Sequence, residues 1–370
     1  MMRFADRFAA MSTCNRLPDV IVCGHANRDR HHTTVVSQFG YSFIAIVLFT
    51  AQALAAPLFD DNAVLDVTLT GPVSTLIDGK HGREELPFNL ITAGVEQRVA
   101  VRVRGQSRLR VCDFPPLRLR FADSVTGAAE FAEQGKLKLV THCRHHDRGE
   151  QDMLEEYVAY RILNVLTETS YRVRLLRISY VDTDEKLEQK SALRYGFLLE
   201  PDEQLADRLD ADIAELRGVP KERHDRRIAA LVYVFQYLIG NTDWGLVKAD
   251  SSDACCHNVT LLERGPRVFF VPYDFDLSGL VNARYASPDP TLRIGRVTQR
   301  LYRGLCMNRE YLQDALRTVK SRRADILAVL QETPGLAASS EEKAASYLNS
   351  FFNKAEDENK LLSSFERRCL

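Results

Sequence analysis

The chain has 370 residues, 45% hydrophobic and 27% charged, the proportions of an ordinary globular protein with room for two domains. Its 49 basic and 50 acidic residues leave a formal charge of −1. That balance gives no case for nucleic acid or an anionic membrane surface as a partner.

Residues 41–56 (YSFIAIVLFTAQALAA) form an apolar run shorter than the ~20 residues a membrane-spanning helix needs. The run closes with Ala53-Leu54-Ala55, a small-x-small cleavage signature, and Arg28 and Arg30 supply positive charge upstream. Residues 1–55 are therefore expected to be a secretory signal region, long enough to suggest a translation start downstream of Met1. The mature chain is expected to be exported, periplasmic or secreted, with no stable membrane span. Loss of this region removes Cys14 and Cys23 and leaves Cys112, Cys143, Cys255, Cys256, Cys306 and Cys369, an even number suited to disulfides in an oxidising compartment. Cys112 with Cys143 is the expected pair, and Cys255 or Cys256 is expected to join Cys306. The local His and Cys clusters at 142–146 and 255–257 match no zinc spacing.

Residues 57–200 read as β-rich. Arginines between Arg102 and Arg120 alternate with apolar residues as the wet face of a strand would. Residues 136–141 (KLKLVT) alternate in the same way, placing Lys136 and Lys138 on one face. A helix follows over residues 151–166, with Leu154, Tyr157, Val158, Ile162 and Leu166 at helical spacing and Glu156 in its early turns. Residues 171–181 and 192–199 read as a hairpin. Residues 200–203 (EPDE) break the β pattern and lead into residues 201–370, which read as mainly helical.

The run 228–239 (IAALVYVFQYLI) predicts a buried helix ended by Gly240 in a left-handed C-cap, which leaves Asn241 and Asp243 on a loop. Residues 259–262 and 268–271 predict a hairpin around the turn-forming Glu263-Arg264-Gly265-Pro266. With Leu262 opposite Arg267, Asn258 falls opposite Val271, so Asn258 and Asp274 leave the same end roughly 10 Å apart along the strand. An acid on a loop, an amide a hairpin away and a second acid at a strand end are what phosphoryl transfer uses: one group to orient the nucleophile, and hard oxygens for Mg²⁺ or Mn²⁺. Asp and Asn at such positions also cap turns without any chemistry. Beyond residue 300, Asn308 and Ser339 are expected helix caps, the latter boxed with Glu342, and Pro334-Gly335 separates two structural helices.

Asn241-Thr242-Asp243-Trp244, then His257-Asn258, then Val271-Pro272-Tyr273-Asp274-Phe275-Asp276-Leu277-Ser278-Gly279 resemble the pattern of the spore-coat CotH family of atypical kinases. Upstream, Arg104-Gly105-Gln106-Ser107 resembles that family's RGxS segment, and the resemblance runs from about Val101 to Leu280. Stretches around Cys112, Lys138 and Glu156 resemble an exported proteobacterial subgroup. The resemblance implies an α+β, two-lobed protein-kinase-like fold, with a β-rich N-lobe carrying one helix and a helical C-lobe carrying the hairpin. It implies ATP as substrate, Asp243 with Asn241 in the catalytic loop, Asn258, Asp274 and Asp276 toward the metal, and Lys138, Glu156 and Arg104 toward the nucleotide. Lys138 is expected to pair with Glu156, and residues 200–203 to form an adenine-binding hinge. Trp244 follows the loop acid where a basic residue is expected, and no glycine-rich phosphate loop occurs. The expected function is transfer of the ATP γ-phosphate to a hydroxyl of an unidentified acceptor. The alternatives are an inactive kinase-like envelope module, or a transferase of AMP or another group.

Overall fold

The structure, a computed structural model, describes residues 16–17, 20–21, 58–122, 129–132, 134–186, 191–246 and 255–370. Strands β1 (Arg16–Leu17) and β2 (Val20–Ile21) pair with each other within a unit spanning Met1–Gln52. Everything below concerns the second unit, Ala53–Leu370. The apolar stretch 41–56, with Cys14 and Cys23, lies outside the described residues. No helix among those described is long and apolar enough to cross a membrane.

Seven strands alternate apolar and polar residues and close into a barrel: β3 (Leu65–Gly71), β4 (Leu86–Thr92), β5 (Val95–Val103), β6 (Leu117–Phe121), β7 (Lys136–Val140), β8 (Val173–Asp182) and β9 (Ser191–Leu199). Their order around the barrel is β3-β4-β5-β6-β7-β9-β8, and β8 closes it by pairing in parallel with β3. Val67, Leu90, Val101, Leu119, Leu137, Ile178 and Leu198 fill the interior, while the residues between them face outward, as the two-residue period of a strand requires.

This corrects the expected fold class. The two-lobed kinase-like architecture is replaced by a closed seven-stranded barrel built into one compact unit with the helices. The reason is long-range pairing: the strands at Leu65–Gly71 and Leu86–Thr92 supply the neighbours that let β8, more than a hundred residues beyond β3, close the sheet.

Helix α1 (Val73–Asp78) follows β3, and the one-turn α2 (Arg108–Val111) links β5 to β6. Helix α3 (Asp147–Leu166) begins where the His146 imidazole accepts a bond from the Gly149 amide. It packs Leu154, Tyr157, Val158 and Ile162 into a second apolar cluster, which runs from Val173 and Phe197 through the helical part of the chain. α4 (Asp202–Arg208) and the short β10 (Asp212–Ile213) lead to α5 (Arg226–Ile239). Asp225 caps α5 through the amides of Arg227 and Ile228, and Gly240 ends it at φ +66, the left-handed cap its position predicts.

Strands β11 (Val259–Arg264) and β12 (Arg267–Pro272) form the expected hairpin with a tighter turn. Arg264 pairs with Arg267 and Leu262 with Phe269, so only Gly265-Pro266 connects them. Gly265 at φ +55 supplies the positive dihedral that two-residue hairpin loops need at their first position, and Pro266 fits the negative dihedral of the second. The C-terminal part is four helices where the sequence suggested two: α6 (Arg309–Ser321), α7 (Arg323–Gln331), α8 (Ala338–Ala355) and α9 (Glu358–Glu366). Asn308 stands at the expected cap position. α8, however, starts after Ala337, so Ser339 lies inside the helix.

Candidate functional site

The tighter hairpin brings the site residues closer than the sequence suggested. Asn258 lies opposite Tyr273, whose amide donates to the Asn258 carbonyl at 3.0 Å, so Asn258 and Asp274 are near neighbours at one end of the ladder. Both residues hold left-handed backbone, φ +54 and +61. Each such non-glycine residue costs about 1–3 kcal/mol unless its surroundings fix it, and such residues gather at functional sites. Here the fixing groups are visible. The Asn258 amide donates to the Asp243 carboxylate at 3.0 Å and to the Asp243 carbonyl at 2.8 Å, and the Asp274 amide donates to the Tyr160 hydroxyl at 2.8 Å.

Asp243 is held from three sides. Asn241 Oδ1 accepts from its amide at 2.9 Å, Asn258 takes one carboxylate oxygen, and His257 Nε2 lies 2.9 Å from the other. Hydrogen bonding to Asp243 raises the His257 pKa above its usual value. Asn241 is wholly buried and accepts the Asp243 amide, so it braces the loop and has no surface to offer a substrate. Trp244 is buried as well; its indole donates to the Asn241 carbonyl and stacks on Tyr233.

Arg108, which sequence reading missed, organises the acids. Its guanidinium reaches Glu156 on α3 at 2.9 Å, Asp274 at 2.5 Å and Asp276 at 2.9 Å. Burial alone would discourage a charge there. Asp276, Glu156 and Asp274 outweigh it and hold Arg108 protonated well above its usual range. One guanidinium cannot balance three carboxylates, and burial, only partly offset by Arg108, pushes Asp276 up to about 8 and Glu156 upward. The Tyr285 hydroxyl also donates to Asp276 at 2.9 Å. Protonation of Asp276 at neutral pH relieves much of that imbalance, and the group opens to solvent at Asp274, whose side chain is 43% exposed.

Two expectations change, the Lys138–Glu156 pair and the role of Asp276. Glu156 pairs with Arg108. Lys138 instead reaches Asp202, at the start of α4, at 3.0 Å; the Tyr171 hydroxyl donates to the same carboxylate at 2.7 Å and contacts Thr260 at 2.6 Å. Asp276 is buried and committed to Arg108 and Tyr285, which makes it a partner of the guanidinium and a poor metal ligand. Its spacing was legible. What hid Arg108 was its place among arginines that alternate like a strand face, whereas the strand ends at Val103, Gly105 follows at φ +95, and Arg108 beyond it is buried.

The outer face of the barrel carries a row of cations. Arg102 on β5, Arg118 on β6 and Lys138 on β7 are direct cross-strand partners. Like charges in that relation destabilise a sheet. Glu85 offsets Arg102 at 3.9 Å, and Lys138 has Asp202. Arg104, the next outward position on β5's chain, lies within the field of Asp274; burial lowers its pKa first, and Asp274 partly restores it.

Among the described residues no group of three or more His, Cys, Asp or Glu side chains could hold a metal ion. The oxygens that fit a hard cation are fewer: the Asn258 side-chain carbonyl and the exposed Asp274 carboxylate. Mg²⁺ is commonly bound that way, through one or two protein oxygens with substrate phosphates and water completing the shell.

The described cysteines pair as Cys112–Cys143, Cys255–Cys256 and Cys306–Cys369. The first is as expected. Cys306 finds Cys369 because the chain's last residue docks beside it: Leu370 exchanges main-chain bonds with Gly304 and Cys306 at 3.0 and 3.1 Å. Three such pairs suit an oxidising compartment.

No family model matches the chain, and no curated protein sequence matches it. Among solved structures, one titled as a Helicobacter pylori proinflammatory kinase CtkA is similar at 10% identity, covering 76% of this chain and 91% of that one, with a TM-score of 0.34. A likeness at that score carries no argument about chemistry, so the functional reading rests on the residues described above.

Proposed function

We propose that this exported chain binds ATP with Mg²⁺ or Mn²⁺ and transfers the γ-phosphate to a hydroxyl acceptor. The observation that carries the reading is charge placement. An acid group open at Asp274 has Arg104 within its field, and Arg104 in turn feels Arg118, whose cross-strand partner is the like-charged Lys138. A metal–polyphosphate is the ligand class that balances both sides at once. A divalent ion, when bound, neutralises phosphate charge, and Asn258 and Asp274 are the residues that would hold it. Arg104, Arg118 and Lys138 would bind the phosphates, with Lys138 exchanging Asp202 for the ligand. Both carboxylate oxygens of Asp243 are engaged by His257 and Asn258. Asp243 therefore acts by holding the loop and the imidazole edge where an acceptor hydroxyl would lie.

One observation favours a second reading, a binding module without catalysis: Arg108 already occupies an Asp274 oxygen that a metal site would use. Thermal shift with Mn²⁺ and ATP, alone and together, tests both. Saturation at 100-fold over Kd stabilises by about 2.7 kcal/mol, and this gain should vanish in Asp274→Ala. No stabilisation of the wild type by the pair would refute nucleotide binding. Stabilisation without release or transfer of a labelled γ-phosphate would favour the second reading.

A further inference from the structure

Arg108 sits at the start of α2, a helix of four residues with no side-chain bond at its N-cap. A single turn of that length does not hold itself in water. Its far end is Cys112, whose amide donates to the Arg108 carbonyl at 2.9 Å and whose sulfur is bonded to Cys143. Cys143 is fixed in turn: its carbonyl accepts from the Phe114 amide at 2.9 Å, and Thr141 donates to the Phe114 carbonyl at 2.9 Å. Three residues beyond Cys143, His146 opens α3, the helix that carries Glu156. The two ends of the Arg108–Glu156 ion pair are thus joined covalently through Cys112–Cys143, and the same guanidinium sets one oxygen of Asp274.

We infer that Arg108 is a positioning residue for Asp274 and that the Cys112–Cys143 bond seats it, so that this site matures only after those two thiols are oxidised. In that step the two thiols give two electrons and two protons to a disulfide-bearing oxidant, which leaves as a dithiol while the Cys112–Cys143 bond forms. Before oxidation, α2 keeps the Lys80 bond to the Cys112 carbonyl at 2.9 Å but lacks its covalent tie, and Arg108 is seated less firmly among the acids. The structural half of this inference stands on the contacts alone; its bearing on nucleotide binding rests on the function proposed above.

Hydrogen exchange followed by mass spectrometry separates the two. The double variant Cys112→Ala/Cys143→Ala keeps the other two disulfides, and Cys306→Ala/Cys369→Ala serves as a control of comparable global cost. Peptides covering residues 107–112 and 272–277 should lose protection in the first variant and keep it in the control. Unchanged protection at 272–277 in the first variant overturns the inference. Arg108→Lys, which keeps the charge and loses the planar fork, should reproduce the loss at 272–277 with the disulfide intact; retained protection there also overturns it, and this variant decides alone if the cysteine variant does not fold. The Mn²⁺–ATP thermal shift should disappear in Cys112→Ala/Cys143→Ala and persist in the control. A wild type that shows no shift defeats the proposed function, while the exchange data still decide the role of Arg108.

Discussion

Two basic side chains meet carboxylates beside the same hairpin, and they are built for different work. Arg108 is buried and uses a planar fork to hold acids from α3 and from the segment after β12. Lys138 is a point charge whose pair with Asp202 is about one-third exposed. The first pair cannot open without leaving desolvated charge behind, whereas the second can exchange partners with little loss. A ligand anion therefore has a place to enter at Lys138 and a fixed frame to meet at Arg108. Sequence reading had assigned both jobs to one lysine.

The contrast can be broken most severely at Arg108. Arg108→Ala should cost about 3–5 kcal/mol, because three carboxylates lose the guanidinium that bonds all of them; a loss under about 1 kcal/mol in urea unfolding would show that the group is better solvated than its burial implies. An internal comparison lies one residue away. Glu155 is buried too, but its arginine, Arg148, stands 3.3 Å away and a quarter exposed, and burial raises the Glu155 pKa from 4.5 to about 7 despite it.

A carboxyl whose folded pKa lies above its unfolded value binds its proton more tightly when folded. Its contribution is fully favourable below pH 4.5 and declines as pH rises from there to about 7. Glu155→Gln should therefore flatten the fall in stability over that window and gain roughly 1–3 kcal/mol at pH 8. An unchanged pH profile would place the titration elsewhere. Smallest in stability is Lys138→Ala, expected to cost less than about 1 kcal/mol, while removing the Mn²⁺–ATP shift. A large unfolding penalty together with an intact shift would make Lys138 structural and reverse its contrast with Arg108.

Short-range signals carried the legible part of the site. Gly240 as a left-handed cap, the hairpin after Asn258 and the pairing of Cys112 with Cys143 each follow from residues near them in sequence. The hairpin register was read two residues too loosely because Glu263 and Arg264 have turn composition, yet they extend the strand; Gly265 and Pro266 suffice for the turn. Arg108 was not legible, since its burial depends on acids far along the chain, and a strand-like alternation of arginines gave no reason to single it out. The fold class failed on the same kind of distance: nothing local in Leu65–Gly71 announces that it pairs with Val173–Asp182.

That parallel seam has a cost in time. β3 can complete its hydrogen bonding only after more than a hundred further residues are available, and β9 must slot between β7 and β8 before the cylinder shuts. Non-local pairing of this kind folds slowly, and until closure two strand edges stand open to other chains. A chaperone that covers those edges until the cylinder shuts should therefore raise its yield more than added stability would.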